Sequence, residues 1–260
     1  MIHPTAIISP ESTIHSSVKI GAYAQVEGKA DLAEGCRIGA GAQIIGDVRI
    51  GVGTQIGRGA IIGDTPQDFS FAPETESGVK IGKNNTVREH VTIHRSAQPG
   101  GMTEVGDDNF IMVGAHLGHD VRVGDGNVIA NACLLAGHVT LGNRAFLGGG
   151  AVFHQFLRIG NLAIIQGNGR FSRDVPPYCT GSGLNQIVGL NAIGLRRAGF
   201  PPEVRKGIRT LYDLLFRSGK NLSQAVKAAQ GTRWDPEAAE LLHFVTAKSS
   251  KGICTHGREG

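Results

Sequence analysis

Val105-Gly106-Asp107-Asp108-Asn109-Phe110, Ile111-Met112-Val113-Gly114-Ala115-His116, Leu117-Gly118-His119-Asp120-Val121-Arg122 and Val123-Gly124-Asp125-Gly126-Asn127-Val128 are consecutive hexads, each opening on a branched apolar residue. Downstream the same slot holds Ile129, Leu135, Leu141, Leu147, Phe153, Ile159, Ile165 and Phe171. Upstream it holds Ile81, Val87 and Ile93, and before them an unbroken series from Ile2, Ile8 and Ile14 through Ile50, Ile56 and Ile62. A period of six is neither the 3.6 of a helix nor the alternation of a half-buried strand. It is the signature of a parallel β-helix, in which three hexads make one triangular coil. The slot residue fills the prism interior, and the glycine that often follows it tolerates the tight corner.

Composition agrees. Glycine takes 39 of 260 positions, about twice its usual ~7% share. Aromatics are 5% and charged residues 18%, the latter below the typical ~25%. Hydrophobic content of 40% with a net charge of +4 excludes intrinsic disorder. No apolar run approaches the ~18 residues of a membrane span, and Met1-Ile2-His3-Pro4 opens no signal-peptide pattern. Cys36, Cys133, Cys179 and Cys254 are scattered without metal-ligand spacing and read as free thiols of a reducing compartment. A soluble, cytoplasmic protein is expected.

Two segments interrupt the period. Asp64 to Gly78 contains Pro66, Pro73 and Gln67-Asp68, and Gln98-Pro99-Gly100-Gly101 puts a proline in a slot where a strand must donate a hydrogen bond. Both read as loops expelled from the solenoid, near 64–78 and 95–103, and such insertions tend to cluster on the functional face. The repeats end at Asp174-Val175-Pro176-Pro177-Tyr178, after which helix formers dominate. Helices are expected from Leu190 to Ala198, from Pro202 through Phe216, from a cap at Asn221 or Ser223 through Gln230, and after the Asp235-Pro236 pair. The predicted fold is therefore mainly β: a parallel β-helix over 1–178, then a C-terminal α-helical domain over 179–260 that shields the open end of the solenoid.

Residues 18 apart lie one above another at the ~4.8 Å strand spacing. Beside the interior column Leu117, Leu135, Phe153 and Phe171 fall His116 and His119, then Gly137 and His138, then His154 and Gln155. Several imidazoles thus converge on one edge, and Asp120 is placed to orient the ring of His119. A histidine with an orienting carboxylate is the arrangement of a general base near neutral pH.

At these residues the chain resembles a known family. Ala115-His116-Leu117-Gly118-His119-Asp120, Leu135-Ala136-Gly137-His138 and His154-Gln155-Phe156 are similar to the UDP-N-acetylglucosamine O-acyltransferases that begin lipid A biosynthesis. So are Gln67-Asp68, Val91-Thr92-Ile93-His94-Arg95 and Gly189-Leu190-Asn191…Gly194-Leu195-Arg196-Arg197. The resemblance spans nearly the whole chain. It implies a left-handed β-helix, a homotrimer with active sites between subunits, and acyl transfer from the phosphopantetheine of an acyl carrier protein to the sugar 3-hydroxyl, with no further cofactor and no metal. It further implies His119 as general base held by Asp120, Gly137 as the backbone oxyanion donor, and Gln67, Asp68, His116, His138, His154 and Gln155 as substrate contacts. Asn191 and Arg197 would grip the nucleotide, and the acyl-length ruler would lie near Gly167. Gly149 and Gly167 are 18 apart and so stack in adjacent coils, leaving a strip of bare backbone that suits an acyl-chain groove.

Ser70 stands where the family often has lysine, Ile193 where glutamate is frequent, and Ala198 where a second arginine is frequent. Ester formation and amide formation on a 3-amino sugar both remain open, as does another sugar acyltransferase of this type. A different class is a zinc-dependent hydratase of the carbonic anhydrase type with His116, His119 and His138 as ligands, although Asp120 and the helical tail fit acyl transfer better. A non-catalytic scaffold is a third reading. From Arg158 to Arg217 nine basic residues face three acidic ones in a chain whose net charge is only +4. Such a patch suits an acidic partner such as acyl carrier protein. No stacking aromatics accompany it, which argues against nucleic acid.

Overall fold

The computed structural model describes residues 1–256. Three sheets of nine, eight and eleven strands, parallel throughout the repeats, form the faces of a prism, and the chain visits them in turn. Ile111, Ile129, Leu147 and Ile165 stack in register on one face, and Leu117, Leu135, Phe153 and Phe171 on the next. Slot residues from Ile20 to Phe171 are buried, whereas Ile2 at the N-terminal end is 47% exposed because no coil covers it. The glycines after the slots serve close approach of backbones and not a turn conformation. A Cβ on Gly39 would lie 2.7 Å from the backbone of Gly57 in the next coil. The left-handed backbone falls two residues later, and at one edge it is carried by Asp120, His138 and Phe156, with φ of 60°, 62° and 66°.

Both interruptions leave the prism at that same edge. Strands Ile61–Asp64 and Thr92–His94 belong to the nine-stranded sheet. After each, the chain loops out and returns in the eight-stranded sheet, where Gly78–Ile81 pairs with Met102–Val105. Arg95 ties the two loops together. Its guanidinium donates to the carbonyls of Pro73 and Thr75 at 2.9 and 3.0 Å and packs over the Phe71 ring.

Beyond Tyr178 the expectation of helix alone needs correction. Cys179–Ser182 and Gln186–Leu190 form an antiparallel hairpin that extends the eleven-stranded sheet, and Thr255–His256 adds a further strand outside it. Leu190 is therefore strand, and the first helix, α1, spans only Ala192–Arg197. Helices α2 (Pro202–Phe216), α3 (Leu222–Gln230) and α4 (Pro236–Thr246) follow as expected. Asn221, not Ser223, caps α3, through a reciprocal capping box with Gln224. Asp235 precedes α4 but makes no side-chain capping bond. The helices close the end of the prism through polar anchors: Asn161 donates to one Glu240 oxygen at 2.7 Å, the Tyr178 hydroxyl donates to the other, and Arg158 pairs with buried Asp174 at 2.7 Å while lying over Phe244. No described helix is long and apolar enough to cross a membrane.

Candidate active site

His119, His138 and Phe156 sit at successive levels of the edge from which the two loops emerge. The ring of His119 is buried, and its Nδ1 lies 2.8 Å from Oδ2 of Asp120. Asp120 is itself fixed from three sides. Ser96 Oγ donates to Oδ1, the Ala97 N–H donates to Oδ2 at 3.2 Å, and Thr103 Oγ1 accepts the Asp120 N–H at 2.8 Å. Burial works against the carboxylate, but the bonds from Ser96 and His119 outweigh it and hold Asp120 below the usual carboxylate range. An ionised Asp120 accepts from Nδ1–H, which leaves the Nε2 lone pair of His119 free to take a proton.

That Nε2 faces Gly137. A Cβ on Gly137 would fall 2.5 Å from it, so the position admits no side chain without moving the ring. The Gly137 N–H has no acceptor among the described residues. At another edge of the prism the equivalent N–H groups of Asp107, Asp125 and Asn143 are taken by side-chain oxygens of Asp125, Asn143 and Asn161 in the following coil. At level 137 the following coil offers Gln155, which makes no such bond. A hydrogen-bond donor is thus left open within reach of a histidine base, and burial makes such a donor costly to leave unpaired unless a ligand uses it.

The groove beside these groups has a volume of about 520 Å³. Gln67, His94, His116 and His119 line one end, Leu134, Val152 and Phe153 its apolar floor, and Arg170 and Leu184 the far end. Its floor follows one outward column of the nine-stranded sheet, Thr92–His116–Leu134–Val152–Arg170. His116 is pushed down to about 4 by burial, with His94 and His119 adding to the effect, so it is neutral and accepts or donates through Nδ1 to Thr92 Oγ1 at 2.7 Å. Burial also lowers His138, against the pull of Asp120. The ring of His138 stacks on Phe156 at 4.4 Å and crosses that of His119 edge-on at 5.0 Å.

The structure brings together His119, Asp120, Gly137, His116, His138, His154, Gln155 and Gln67. Asp68 sits on the first loop, where the Ser70 N–H and hydroxyl lower its pKa and its charge reaches His119 and His138. Asn191 and Arg197 do not line the groove of this chain. The Asn191 side chain is committed to α1, accepting the Gly194 N–H and donating to the Leu162 carbonyl, both at 2.8 Å, and Arg197 is exposed on that helix. Gly149 and Gly167 stack at the opposite edge of the nine-stranded sheet. Arg158 is withdrawn from the basic patch by its pairing with Asp174. The three-histidine zinc set does not form. Among the described residues, the group that could hold a metal is His119, Asp120 and His138, while His116 is engaged with Thr92.

Sequence reasoning missed Ser96, Thr103 and the buried His94 as parts of this site. Ser96 lies 24 residues before Asp120, so coil arithmetic based on 18 fails across the loop that separates them. The four cysteines are all buried, and burial raises Cys133 to about 12, which removes it as a nucleophile.

A parallel β-helix with a histidine–carboxylate pair and an open backbone donor on one edge defines a hexapeptide-repeat acyltransferase. Residues 102–137 match the bacterial transferase hexapeptide family, and residues 174–254 match the second domain of UDP-N-acetylglucosamine O-acyltransferases. The chain is 41% identical, over 97% of its own length and 98% of the relative's, to the acyl-[acyl-carrier-protein]–UDP-N-acetylglucosamine O-acyltransferase of Thermodesulfovibrio yellowstonii. It superposes with a TM-score of 0.92 at 35% identity on the UDP-N-acetylglucosamine acyltransferase of Campylobacter jejuni, covering 99% of this chain and 100% of that one. On the Francisella novicida enzyme the TM-score is 0.94 at 33% identity, covering 100% of this chain and 95% of that one. The chain belongs to the family of acyl-[acyl-carrier-protein]–UDP-N-acetylglucosamine O-acyltransferases, and its prism is a left-handed parallel β-helix.

Proposed function

We propose that this chain transfers a 3-hydroxyacyl group from acyl carrier protein to the 3-hydroxyl of UDP-N-acetylglucosamine, the first step of lipid A biosynthesis, with His119 as general base. The observation that carries the mechanism is the placement of His119 between Asp120 and the open Gly137 N–H. Nε2 takes the hydroxyl proton as the sugar oxygen attacks the thioester carbonyl. Asp120 stabilises the imidazolium so formed, and the Gly137 N–H donates to the oxyanion of the tetrahedral intermediate. Collapse expels the phosphopantetheine thiolate, which recovers the proton from His119. A thioester is already activated, so no further cofactor or metal is invoked.

Asp68, Gln67, His116, His138, His154 and Gln155 hold the sugar nucleotide, and exposed Arg197 serves a neighbouring subunit's site in a cytoplasmic homotrimer, with Asn191 fixing the start of the helix that carries it. That Arg197 does not line the groove of its own chain supports the assignment. The decisive experiment is the mass of the product formed from UDP-N-acetylglucosamine and hydroxyacyl-acyl carrier protein. An O-acylated nucleotide sugar is expected. Turnover only with a 3-amino sugar would replace this reading with amide formation.

A further inference from the structure

We propose that His119, Asp120 and His138 form an inhibitory site for Zn2+ or a similar transition-metal ion, which silences the base by taking its Nδ1. One ligand atom from each residue lies within 4.8 Å of the other two. His119 Nδ1 is 2.8 Å from Asp120 Oδ2, and His138 Nε2 is 3.6 Å from the same oxygen. Zn2+ binds nitrogen and oxygen at ~2.0–2.2 Å, so neighbouring ligands in a tetrahedron stand about 3.4 Å apart. The two separations bracket that value. The two imidazole nitrogens lie within 4.8 Å of each other, so closing on a metal means opening the Nδ1–H···Oδ2 bond and drawing the two rings together, and a fourth position is left for water.

The surrounding groups hold these ligands in place. Ser96 donates to the other Asp120 oxygen, as an outer partner of a ligating carboxylate does, and Phe156 fixes the plane of His138. Two of the three ligands, Asp120 and His138, are reachable from outside the groove that His119 lines. A separate cleft of about 260 Å³ on the eight-stranded sheet is lined by Gln98, Met102, Asp120, Arg122, His138 and Thr140.

The chemical consequence follows from the single proton of neutral imidazole. In the active form it sits on Nδ1, directed to Asp120, and Nε2 is the base. A metal on Nδ1 forces that proton onto Nε2, without net release, so the lone pair that would accept the sugar proton is gone. Imidazole and carboxylate donors favour Zn2+ and Cu2+ over Mg2+ and Ca2+.

This inference rests on the acyl-transfer reading for its kinetic consequence, but not for binding. The test is calorimetric titration of the metal-free protein with ZnCl2, alongside initial rates of acyl transfer. One ion per chain is expected, with activity falling at least 10-fold, restored by a chelator, and unaffected by millimolar Mg2+. His138→Gln is expected to weaken binding at least 10-fold, and His138→Cys, which restores a ligand, to retain it. Absence of binding in the wild-type protein, or equal zinc affinity in His138→Gln and His138→Cys, overturns the site. Should metal-free protein show no acyl transfer at all, the functional reading fails, and the calorimetry still decides the metal site.

Discussion

A Cβ on Gly137 would lie 2.5 Å from Nε2 of His119. The glycine and the base therefore share one volume, and a methyl group at 137 must displace the ring or the backbone that carries the open N–H. Gly137→Ala is expected to keep the fold while lowering kcat by about 10²–10³-fold, the usual cost of losing one oxyanion donor. Circular dichroism and steady-state rates check this, and a folded Gly137→Ala protein with wild-type kcat removes Gly137 from the reaction.

His119→Ala is expected to lower turnover by ~10²–10⁴-fold with affinity for the UDP-sugar largely intact. Ser96→Ala probes the next layer, because its hydroxyl holds the Asp120 oxygen that does not face His119. A hydrogen bond to a charged group is worth ~1.5–3 kcal/mol, so a fall in kcat of about 10–100-fold is expected, with partial rescue in Ser96→Thr. Isothermal titration with UDP-N-acetylglucosamine separates the loss of rate from the loss of binding.

Much of this site was legible because a hexapeptide solenoid converts sequence spacing into distance. His119, Gly137 and Gln155 differ by 18 residues and stack, as arithmetic requires. Asp120 was legible as the neighbour of a histidine at a corner. Ser96 was not, since the loop between it and Met102 breaks the coil count. Thr103 lies 17 residues before Asp120, within the regular count, but spacing alone does not show that its hydroxyl reaches the Asp120 N–H. The Cys179–Leu190 hairpin was hidden for a different reason. Its partner strand, Thr255–His256, comes from the far end of the chain, a pairing no local pattern announces. Asn191 illustrates the reverse case, in which a polar residue matched to a binding role spends its side chain on a helix cap.

Acidification is expected to destabilise the fold. His116 is held near 4 by burial first and by neighbouring histidines second, and buried His94 is lowered in the same direction. In the unfolded chain both return to ~6.5. Between about pH 6.5 and pH 4 the unfolded state binds more protons, so stability is full above that window and is lost as pH falls through it, at up to about 1.4 kcal/mol per unit and about 3 kcal/mol in all for His116. Urea midpoints at several pH values measure the slope. His116→Gln should flatten it, and an unchanged slope would assign acid sensitivity elsewhere.

Oligomeric state can be tested on the eleven-stranded sheet. Its outward column runs Phe110, Val128, Phe146 and Ile164 in register, and Phe146 is 43% exposed. An apolar strip of this kind on a single chain marks a covered surface. Phe146→Asp is expected to shift the protein from trimer toward monomer in sedimentation and to lower activity with it. A wild-type protein that sediments as an active monomer rejects the trimer.

Acyl-chain length is expected to depend on Gly167. A Cβ there would lie 3.2 Å from the Gly149 carbonyl oxygen, and one on Gly149 would lie 3.3 Å from the Asn131 carbonyl. These contacts are tight but need only a few tenths of an ångström of adjustment, so Gly167→Met should fold. Its side chain would stand where two stacked glycines leave the backbone bare, at the edge of the sheet opposite His119. An extended chain lying on that strip would lose the burial of its distal methylenes, each worth ~0.8 kcal/mol. Loss of two or three of them changes preference by about 10–50-fold in favour of a shorter donor. Competition between hydroxyacyl donors of different length, read by product mass, gives the answer. An unchanged length profile in a folded, active Gly167→Met protein would move the acyl groove onto the outer face of the nine-stranded sheet, along Leu134 and Val152 toward Arg170.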